Sequence, residues 1–211
     1  MKFAYKAALT AATLILAASA QAAGGTDIGN TSVDDVTLNG ENSDAFVFAS
    51  AWNPHAGPQG NTDGFGTAFD AYGSGAWSLV GKLDNGSGFS GSNGLEFSFA
   101  RTAGSDTDGV WSVTNTGSQG LKLDLVFAVH AGNGAGAFLF DDEIIGAGAT
   151  VNGTWKIDWF TGNNGNNPGF SNLTVFGRDV NVVPVPEPET YGMLLAGLGM
   201  LGFAARRQKK S

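Results

Sequence analysis

Residues 121–130 read LKLDLVFAVH, and this stretch decides the fold. Large apolar side chains occupy every second position, at Leu121, Leu123, Leu125, Phe127 and Val129. Successive side chains of a β-strand point to opposite faces, so one face of this segment is continuously apolar and the other is more polar. A period of two predicts a β-strand, because an amphipathic helix would show a period of 3.6 residues.

The same alternation recurs along the chain. Turn-forming pairs such as Asn85-Gly86 and Asn152-Gly153 separate the alternating segments and supply the positive φ that hairpins need. The stretch 53–75, rich in glycine, asparagine and aspartate, predicts a long loop or an irregular pair of strands. The pattern predicts an all-β fold, an antiparallel β-sandwich or jelly roll. We expect strands near 33–39, 44–50, 76–83, 95–101, 110–116, 121–131, 136–141, 150–160 and 171–179.

The composition of the 211-residue chain limits the function classes. It has 33 glycines and no cysteine, so neither a disulfide nor thiol chemistry is available. Residues 23–183 hold 17 acidic and five basic side chains, a net charge of −12. A nucleic-acid partner is therefore not expected, because it would need a basic footprint. The length of this segment suits one domain with its own core.

The first 22 residues have the layout of a secretory signal peptide. Lys2 and Lys6 give a positive start, residues 7–18 are an apolar run, and Ala20 and Ala22 frame a small-x-small cleavage site. The apolar run is shorter than the roughly 20 residues that span a bilayer. We therefore expect export through the Sec translocon and removal of this segment by signal peptidase.

A proline-rich element follows the predicted β domain. Pro186, Glu187 and Pro188 form its centre, and Pro184 precedes them. Each proline fixes its own φ and biases the preceding residue toward an extended conformation. The element is therefore not helical, and a processing enzyme could reach it.

An apolar segment and a basic end complete the tail. Residues 191–205 predict a short transmembrane helix of about 22 Å, against a hydrocarbon core of about 30 Å. Arg206 and Arg207 begin a basic end that should stay in the cytoplasm while the domain faces outward. The chain thus divides into a signal peptide at 1–22, a β-sandwich passenger domain at 23–183 and a sorting tail at 184–211.

The tail resembles the PEP-CTERM sorting domain. The Pro-Glu-Pro element, the sequence LLAGLG at 194–199 and the arginine pair carry this resemblance, which covers about residues 184–210. It implies recognition by an exosortase, a membrane cysteine transpeptidase that would cut near the Pro-Glu-Pro element. It also implies export by a Gram-negative bacterium that makes extracellular polysaccharide. The end, QKKS, is less purely arginine than the usual pattern, and a plain C-terminal membrane anchor is the alternative.

Catalytic signals are sparse. The chain has two histidines, His55 in a loop and His130 at the end of the strongest strand. No nucleophile elbow accompanies them, so a Ser-His-Asp triad has no support from the sequence. We expect no catalytic residues and no enzyme activity, and a secreted hydrolase is the less favoured alternative.

Two acidic runs supply candidate metal ligands. Asp106 and Asp108 resemble the opening of a calcium loop, although the rest of an EF-hand is missing. Asp141 and Asp142 follow a predicted strand and could form a carboxylate cluster. A solvated turn is the favoured interpretation of both runs. We expect no cofactor, with calcium as the alternative.

Aromatic residues supply a second candidate site. Trp111 and Phe160 have the parity opposite to the presumed core positions, whereas Trp155 and Trp159 share one parity and point to the core. An exposed ring could stack on a sugar, although core filling is the favoured role for aromatic residues.

The leading hypothesis is a non-enzymatic surface or extracellular-matrix protein with a structural or adhesive passenger. It would be anchored transiently in the inner membrane and would then reach the cell surface or the exterior. The alternative is a carbohydrate-binding module, assisted by calcium, that associates with exopolysaccharide.

Overall fold

The structure is a computed structural model that describes residues 26–83, 87–161, 165–183, 196–198 and 200. The predicted signal peptide, with Ala20 and Ala22, lies outside the described residues. The sorting residues of the tail also lie outside them, namely Pro186, Glu187, Pro188, Arg206 and Arg207. Within the described part of the chain, no helix is both long and apolar enough to cross a membrane.

The described chain is built mainly of β-strands, and every strand pair is antiparallel. Three short 3₁₀ turns occur at Val33–Asp35, Asp70–Tyr72 and Ser92–Gly94. The all-β, antiparallel prediction is confirmed. The strands are β1 (Thr26–Asp27), β2 (Thr37–Leu38), β3 (Glu41–Asn42), β4 (Ala45–Ser50), β5 (Ser78–Leu83), β6 (Gly88–Ser90), β7 (Leu95–Arg101), β8 (Asp108–Asn115), β9 (Gly120–Ala131), β10 (Gly134–Ile145), β11 (Thr150–Lys156), β12 (Phe160–Thr161) and β13 (Phe170–Val183).

Two larger sheets organise these strands. The first has five strands in the order β4-β10-β9-β13-β5, and the second has four in the order β11-β8-β7-β6. Two small two-stranded ribbons, β1-β12 and β2-β3, complete the described strands, and the segment that contains β2 lies along the edge of β11. The segment that begins at Leu121 is β9, the middle strand of the five-stranded sheet. Its alternating apolar residues therefore lie at the centre of the fold.

One hydrophobic cluster joins the two sheets. It takes the inward face of β9 and the inward residues of β7 and β8, including Phe97, Phe99 and Val113. The ring of Trp111 on β8 lies 4.4 Å from the ring of Phe127 on β9, which connects the sheets directly. Burying each such side chain stabilises the fold by about 2–3 kcal/mol.

A second hydrophobic cluster covers the other face of the five-stranded sheet. Val126 and Ala128 of β9 are fully buried there, on the face that the sequence analysis took as the more polar one. The covering side chains are Trp52, Phe65 and Phe69, and they come from residues 51–77, which we call the cover segment. The predicted long loop is therefore a packed layer of the core.

Some strand bounds differ from the expectations. The expected strand at 33–39 starts as a 3₁₀ turn, in which the Ser32 amide donates to Asp35 Oδ2 at 3.2 Å. The expected strand at 150–160 ends at Lys156, although Trp155 and Trp159 are both buried as predicted. The sequence analysis missed β6, which has only three residues. Short polar or glycine-rich strands carry too few alternations to be recognised.

Removing the ring of Phe65 tests whether the cover segment belongs to the cooperative core. This ring lies 5.2 Å from Phe176 of β13 and 5.5 Å from Trp77 of the cover segment. We expect Phe65→Ala to lower the free energy of unfolding by about 3–5 kcal/mol, because it leaves a cavity between sheet and cover. Chemical denaturation followed by tryptophan fluorescence measures the change.

The matched control is Val110→Ala on the outer face of β8, where the side chain is 55% exposed. We expect that change to stay within about 0.5 kcal/mol. Equal effects of the two substitutions would show that the cover segment unfolds separately from the sheets.

Candidate functional site

Two β-bulges flank β9 near the end of the five-stranded sheet from which the tail leaves. The β10 register shifts between Phe140 and Glu143, and the β13 register shifts between Arg178 and Asn181. Each bulge holds an aspartate with positive φ, Asp142 on β10 and Asp179 on β13. Bulges re-aim side chains locally, and here they gather charged groups around one short section of β9.

A buried ion pair lies between these bulges. The Arg178 Nε donates to Asp124 Oδ2 at 2.8 Å, and the side chains are 1% and 2% exposed. The Arg178 Nη2 donates to the Phe69 carbonyl at 3.0 Å, and the guanidinium lies 4.2 Å from the centre of the Trp77 ring. Because Phe69 and Trp77 belong to the cover segment, Arg178 fastens this segment to the sheet.

Gly73 shows how tightly the cover segment approaches the ion pair. A Cβ at this position would lie 2.9 Å from Asp179 Oδ2 and 3.0 Å from Arg178 Nη2 and Asp124 Oδ2. Contacts this short would force the charged side chains to move, so only glycine lets the backbone pass here.

A cluster of three carboxylates lies next to the ion pair. Oxygen atoms of Asp124, Asp141 and Asp142 lie within 4.8 Å of one another. The Asp142 amide donates to Asp124 Oδ1 at 3.1 Å, and the Lys122 Nζ lies 2.7 Å from Asp142 Oδ2. Burial, followed by the negative charges of Asp124 and Asp142, raises the pKa of Asp141 to about 6. Two cations therefore already balance much of the negative charge in this cluster.

The structure brings together only half of the predicted metal ligands. Asp141 and Asp142 lie together and are joined by Asp124, which the sequence analysis did not name. Asp106 instead forms an ion pair with Arg101 at 2.8 Å, and Asp108 accepts a hydrogen bond from the Ser105 hydroxyl. The four aspartates therefore do not form one group among the described residues. Calcium binding at Asp141 and Asp142 stays a prediction.

The sequence did contain a signal for the ion pair. Asp124 lies between Leu123 and Leu125 in β9, which also contains Lys122, and Arg178 stands at the end of the apolar run of β13. Charged residues are rarely fully buried unless they are paired, so two opposite charges inside apolar strands indicate partners.

The two histidines lie at the junction of β9 and the cover segment. His130 is half-buried, and its Nδ1 lies 3.4 Å from Asn172 Nδ2. Burial, together with the positive charge of His55, lowers the pKa of His130. Lys82 donates to the His55 carbonyl at 2.8 Å and so attaches this end of the cover segment to β5.

The predicted sugar-stacking role of Trp111 is wrong. The side chain is 3% exposed, lies among core aromatic residues, and donates from Nε1 to the Thr37 carbonyl at 3.0 Å. In β8 the side chains of Trp111 and Val113 point inward, toward the five-stranded sheet. The sequence of β8 alone does not show which of its two faces meets that sheet. Phe160 is half-buried in β12, and its stacking role stays a prediction.

A shallow hollow of about 520 Å³ lies on the outer face of β8 and β11. Its rim carries hydroxyl and amide side chains rather than titratable groups. The lining residues are Thr37, Gly40, Ser98, Val110, Trp111, Ser112, Asn152, Gly153 and Thr154.

The raised pKa of Asp141 gives a stability prediction that depends on pH. A carboxyl whose pKa is raised by folding destabilises the native state as the pH rises from about 4, its unfolded value, through about 6. We expect Asp141→Asn to raise the free energy of unfolding by about 1 kcal/mol at pH 7.5, after allowance for solvent screening. At pH 4.5 we expect little change.

Denaturation midpoints at both pH values, in the presence of EDTA, measure this effect. Asp63→Asn, at an exposed carboxylate in the cover segment, is the control and should change neither midpoint. A loss of stability at pH 7.5 in Asp141→Asn would show that the Asp141 carboxylate is held by a favourable partner.

Comparison with known proteins bears on the tail. A family model described as the PEP-CTERM protein-sorting motif matches residues 184–208. No curated protein and no solved structure matches the chain. The resemblance drawn from the Pro-Glu-Pro element, the apolar segment and the arginine pair is therefore confirmed. The chain carries a PEP-CTERM protein-sorting motif, which indicates an exported protein that is sorted by an exosortase system.

Proposed function

We propose that the protein is a non-enzymatic component of the bacterial surface or extracellular matrix, with a structural or adhesive β-sandwich passenger. The single observation that carries the proposal is the sorting motif at 184–208, which begins directly after β13. In this proposal an exosortase cuts near Pro186-Glu187-Pro188 while the apolar segment at 191–205, predicted from the sequence to be a transmembrane helix, holds the chain in the inner membrane. The passenger is then released to the surface or the exterior.

The position of the motif supports processing beside a folded domain. Val183 is the last residue of β13 and pairs with Gly120 of β9. Pro186 lies three residues further on, which is at most about 10 Å of extended chain. The enzyme would therefore meet the terminal strands of the passenger immediately next to its cleavage site.

The shared hydrophobic cluster supports the sandwich assignment. Side chains of the five-stranded and four-stranded sheets contribute to one core, as in two sheets packed face to face. A chain without cysteine depends on such burial for its stability outside the cytosol. Aromatic pairs such as Phe99 and Trp155, whose ring centres lie 4.7 Å apart, strengthen that core.

The chemistry of the described surface supports a non-enzymatic role. The hollow over β8 and β11 is lined by hydroxyl, amide and apolar groups, with no acid, base or histidine among them. General acid–base catalysis needs a titratable group within hydrogen-bond reach of the reacting atom. Two of the clustered carboxylates instead form ion pairs, Asp124 with Arg178 and Asp142 with Lys122.

The hollow also supports carbohydrate binding as a second candidate function. Ser112, Asn152 and Thr154 present donors and acceptors that match sugar hydroxyl groups. We expect Asn152→Ala to weaken retention in affinity electrophoresis through the producer's own polysaccharide. Thr67→Ala, at an exposed position of the cover segment, is the control and should leave retention unchanged. If the polysaccharide changes the mobility of neither the unchanged protein nor either variant, carbohydrate binding is ruled out as a candidate function.

Replacing Pro186, Glu187 and Pro188 by alanine tests the sorting proposal. We expect the tail to stay uncut and the protein to remain in the membrane fraction, because the extended recognition element is lost. An epitope placed after Ser211, followed by immunoblotting and intact-mass measurement, reports the processing.

Pro184→Ala is the matched control, since it keeps the central Pro-Glu-Pro element and should be processed normally. Deletion of the exosortase in the same strain should reproduce the uncut form. Unchanged C-terminal processing of the triple-alanine variant would contradict the proposal.

A further inference from the structure

We propose that the free edge of β4 pairs in antiparallel orientation with β4 of a second copy of this chain. The pairing would join two five-stranded sheets into one continuous sheet of ten strands. This inference concerns an interaction surface of the passenger and does not depend on the sorting proposal.

Three of the four edges of the two larger sheets are protected. The edge of β11 is occupied by residues 36–39: the Asn39 amide donates to the Asn152 carbonyl at 2.8 Å, and the Thr154 amide donates to Thr37 Oγ1 at 3.0 Å. β6 has only three residues. β5 carries Lys82, whose ammonium group binds carbonyl groups of the cover segment. Short strands, edge lysines and covering segments are the devices that prevent pairing between sheets.

Within the described residues, the edge of β4 is less protected: the Tyr72 hydroxyl of the cover segment donates to the Asp44 carbonyl directly before the strand at 3.3 Å, and β4 itself contains no lysine and pairs with no second strand. Its sequence is AFVFAS, with no charge, no proline and no bulge, and it is paired along its whole length with β10 on one side only. Six uncharged residues in an open, regular strand are a ready template for another strand.

The hydrogen-bond pattern shows which groups face outward. The Ala51 amide donates to the Asn133 carbonyl at 2.6 Å, in register with the β4-β10 ladder. Main-chain groups of every second residue from Ala51 backward therefore point to β10. The N–H and C=O groups of Phe46, Phe48 and Ser50 therefore point away from it, and β10 is the only strand that pairs with β4 among the described residues. The alternation stops at Ala45, because the Asp44 amide also donates to the Leu139 carbonyl at 2.8 Å.

A second β4 fits this edge by two-fold symmetry. With Phe48 opposite the partner's Phe48, Phe46 lies opposite the partner's Ser50, and all outward groups of both strands can pair. In this register the two Asp44 residues lie beyond opposite ends of the paired strands, eight residues apart or about 27 Å, so the strand ends do not bring like charges together.

Both faces of the strand suit a continuous sheet. Phe46 and Phe48 pack against the cluster between the sheets, while Ala45, Val47 and Ala49 pack against the cluster under the cover segment. All five are only partly buried in one copy. A paired β4 would complete both clusters, which favours a second copy over a charged or polar peptide.

The geometry also fixes the size and strength of the assembly. Each copy uses the same edge, so the contact is isologous and closes at a dimer. A six-residue strand is a small contact compared with the roughly 1,200 Å² or more of a stable complex. We therefore expect a dimer that dissociates on dilution. Salt should strengthen dimerisation, because it screens the repulsion between two copies that each carry a net charge of −8.

Sedimentation equilibrium of the full chain in a density-matched detergent tests the proposal. Ser50→Pro removes an outward N–H and places a ring at the edge, while the bonds to β10 stay intact. We expect it to weaken dimerisation at least about tenfold, because the symmetric contact loses two hydrogen bonds. Ser50→Ala keeps the N–H and should dimerise like the unchanged protein.

A cross-linking experiment gives an independent readout if Ser50→Pro fails to fold. The chain lacks cysteine, so Ser50→Cys introduces a unique thiol. In the proposed pair the two copies of residue 50 are offset by four residues, or about 14 Å along the strand. A bis-maleimide of that span should give covalent dimers, whereas Thr67→Cys on the cover segment should give monomers.

Three outcomes would overturn the proposal. These are a protein that stays monomeric at millimolar concentration, a Ser50→Pro variant that folds and dimerises as tightly as Ser50→Ala, and a Ser50→Cys variant that yields only monomers. Assemblies larger than a dimer that survive Ser50→Pro would assign association to another surface, including the tail.

Discussion

Among the described residues, one buried cation connects the five-stranded sheet to the cover segment. The Arg178 guanidinium lies in an almost fully buried position, where an unpaired charge would be strongly destabilising. Asp124 neutralises it, the Phe69 carbonyl accepts one of its hydrogen bonds, and the Trp77 ring covers its face. The Arg178 side chain therefore connects the middle strands of the five-stranded sheet to the cover segment. Loss of Asp124 would leave the Arg178 charge unpaired in the apolar interior.

This position links the core to the sorting tail. Residues 172–178 of β13 are buried, and residues 173–177 pair with β5 as well as with β9. Residues 179–182 are exposed, and of these only Asn181 and Val182 pair with a strand, which is β9. The ion pair thus marks the boundary between the packed part of β13 and a terminal section that leads to the Pro-Glu-Pro element. β13 is an inner strand, so a force applied to the tail would be opposed by the hydrogen bonds that β13 makes to its neighbouring strands. Arg178 is the buried residue of β13 that lies nearest to the tail.

The sequence predicted features that a local pattern encodes, and it missed features that depend on contact between distant segments. The alternation at 121–129 gave the central strand, and the order of the tail elements gave the sorting motif. The sequence does not predict the packing of the cover segment, because Phe65 and Phe69 have no regular period among the glycines, although both are fully buried. The inward position of Trp111 and the pairing of Asp124 with Arg178 needed the arrangement of the sheets, since parity alone does not say which face meets a second layer.

The pKa shifts of two carboxyl groups and of one histidine change the stability of the fold in opposite directions as the pH changes. This suits a protein exposed to a variable exterior. Burial raises the pKa values of Asp35 and Asp141 to about 6, so both carboxyls destabilise the fold as the pH rises from 3.8 through 6. Burial and the charge of His55 lower the pKa of His130, so this ring destabilises the fold as the pH falls below 6.5. The carboxyl effects lower the stability as the pH rises, whereas the histidine effect raises it. The stability of the passenger should therefore change less with pH than the two carboxyl groups together would cause.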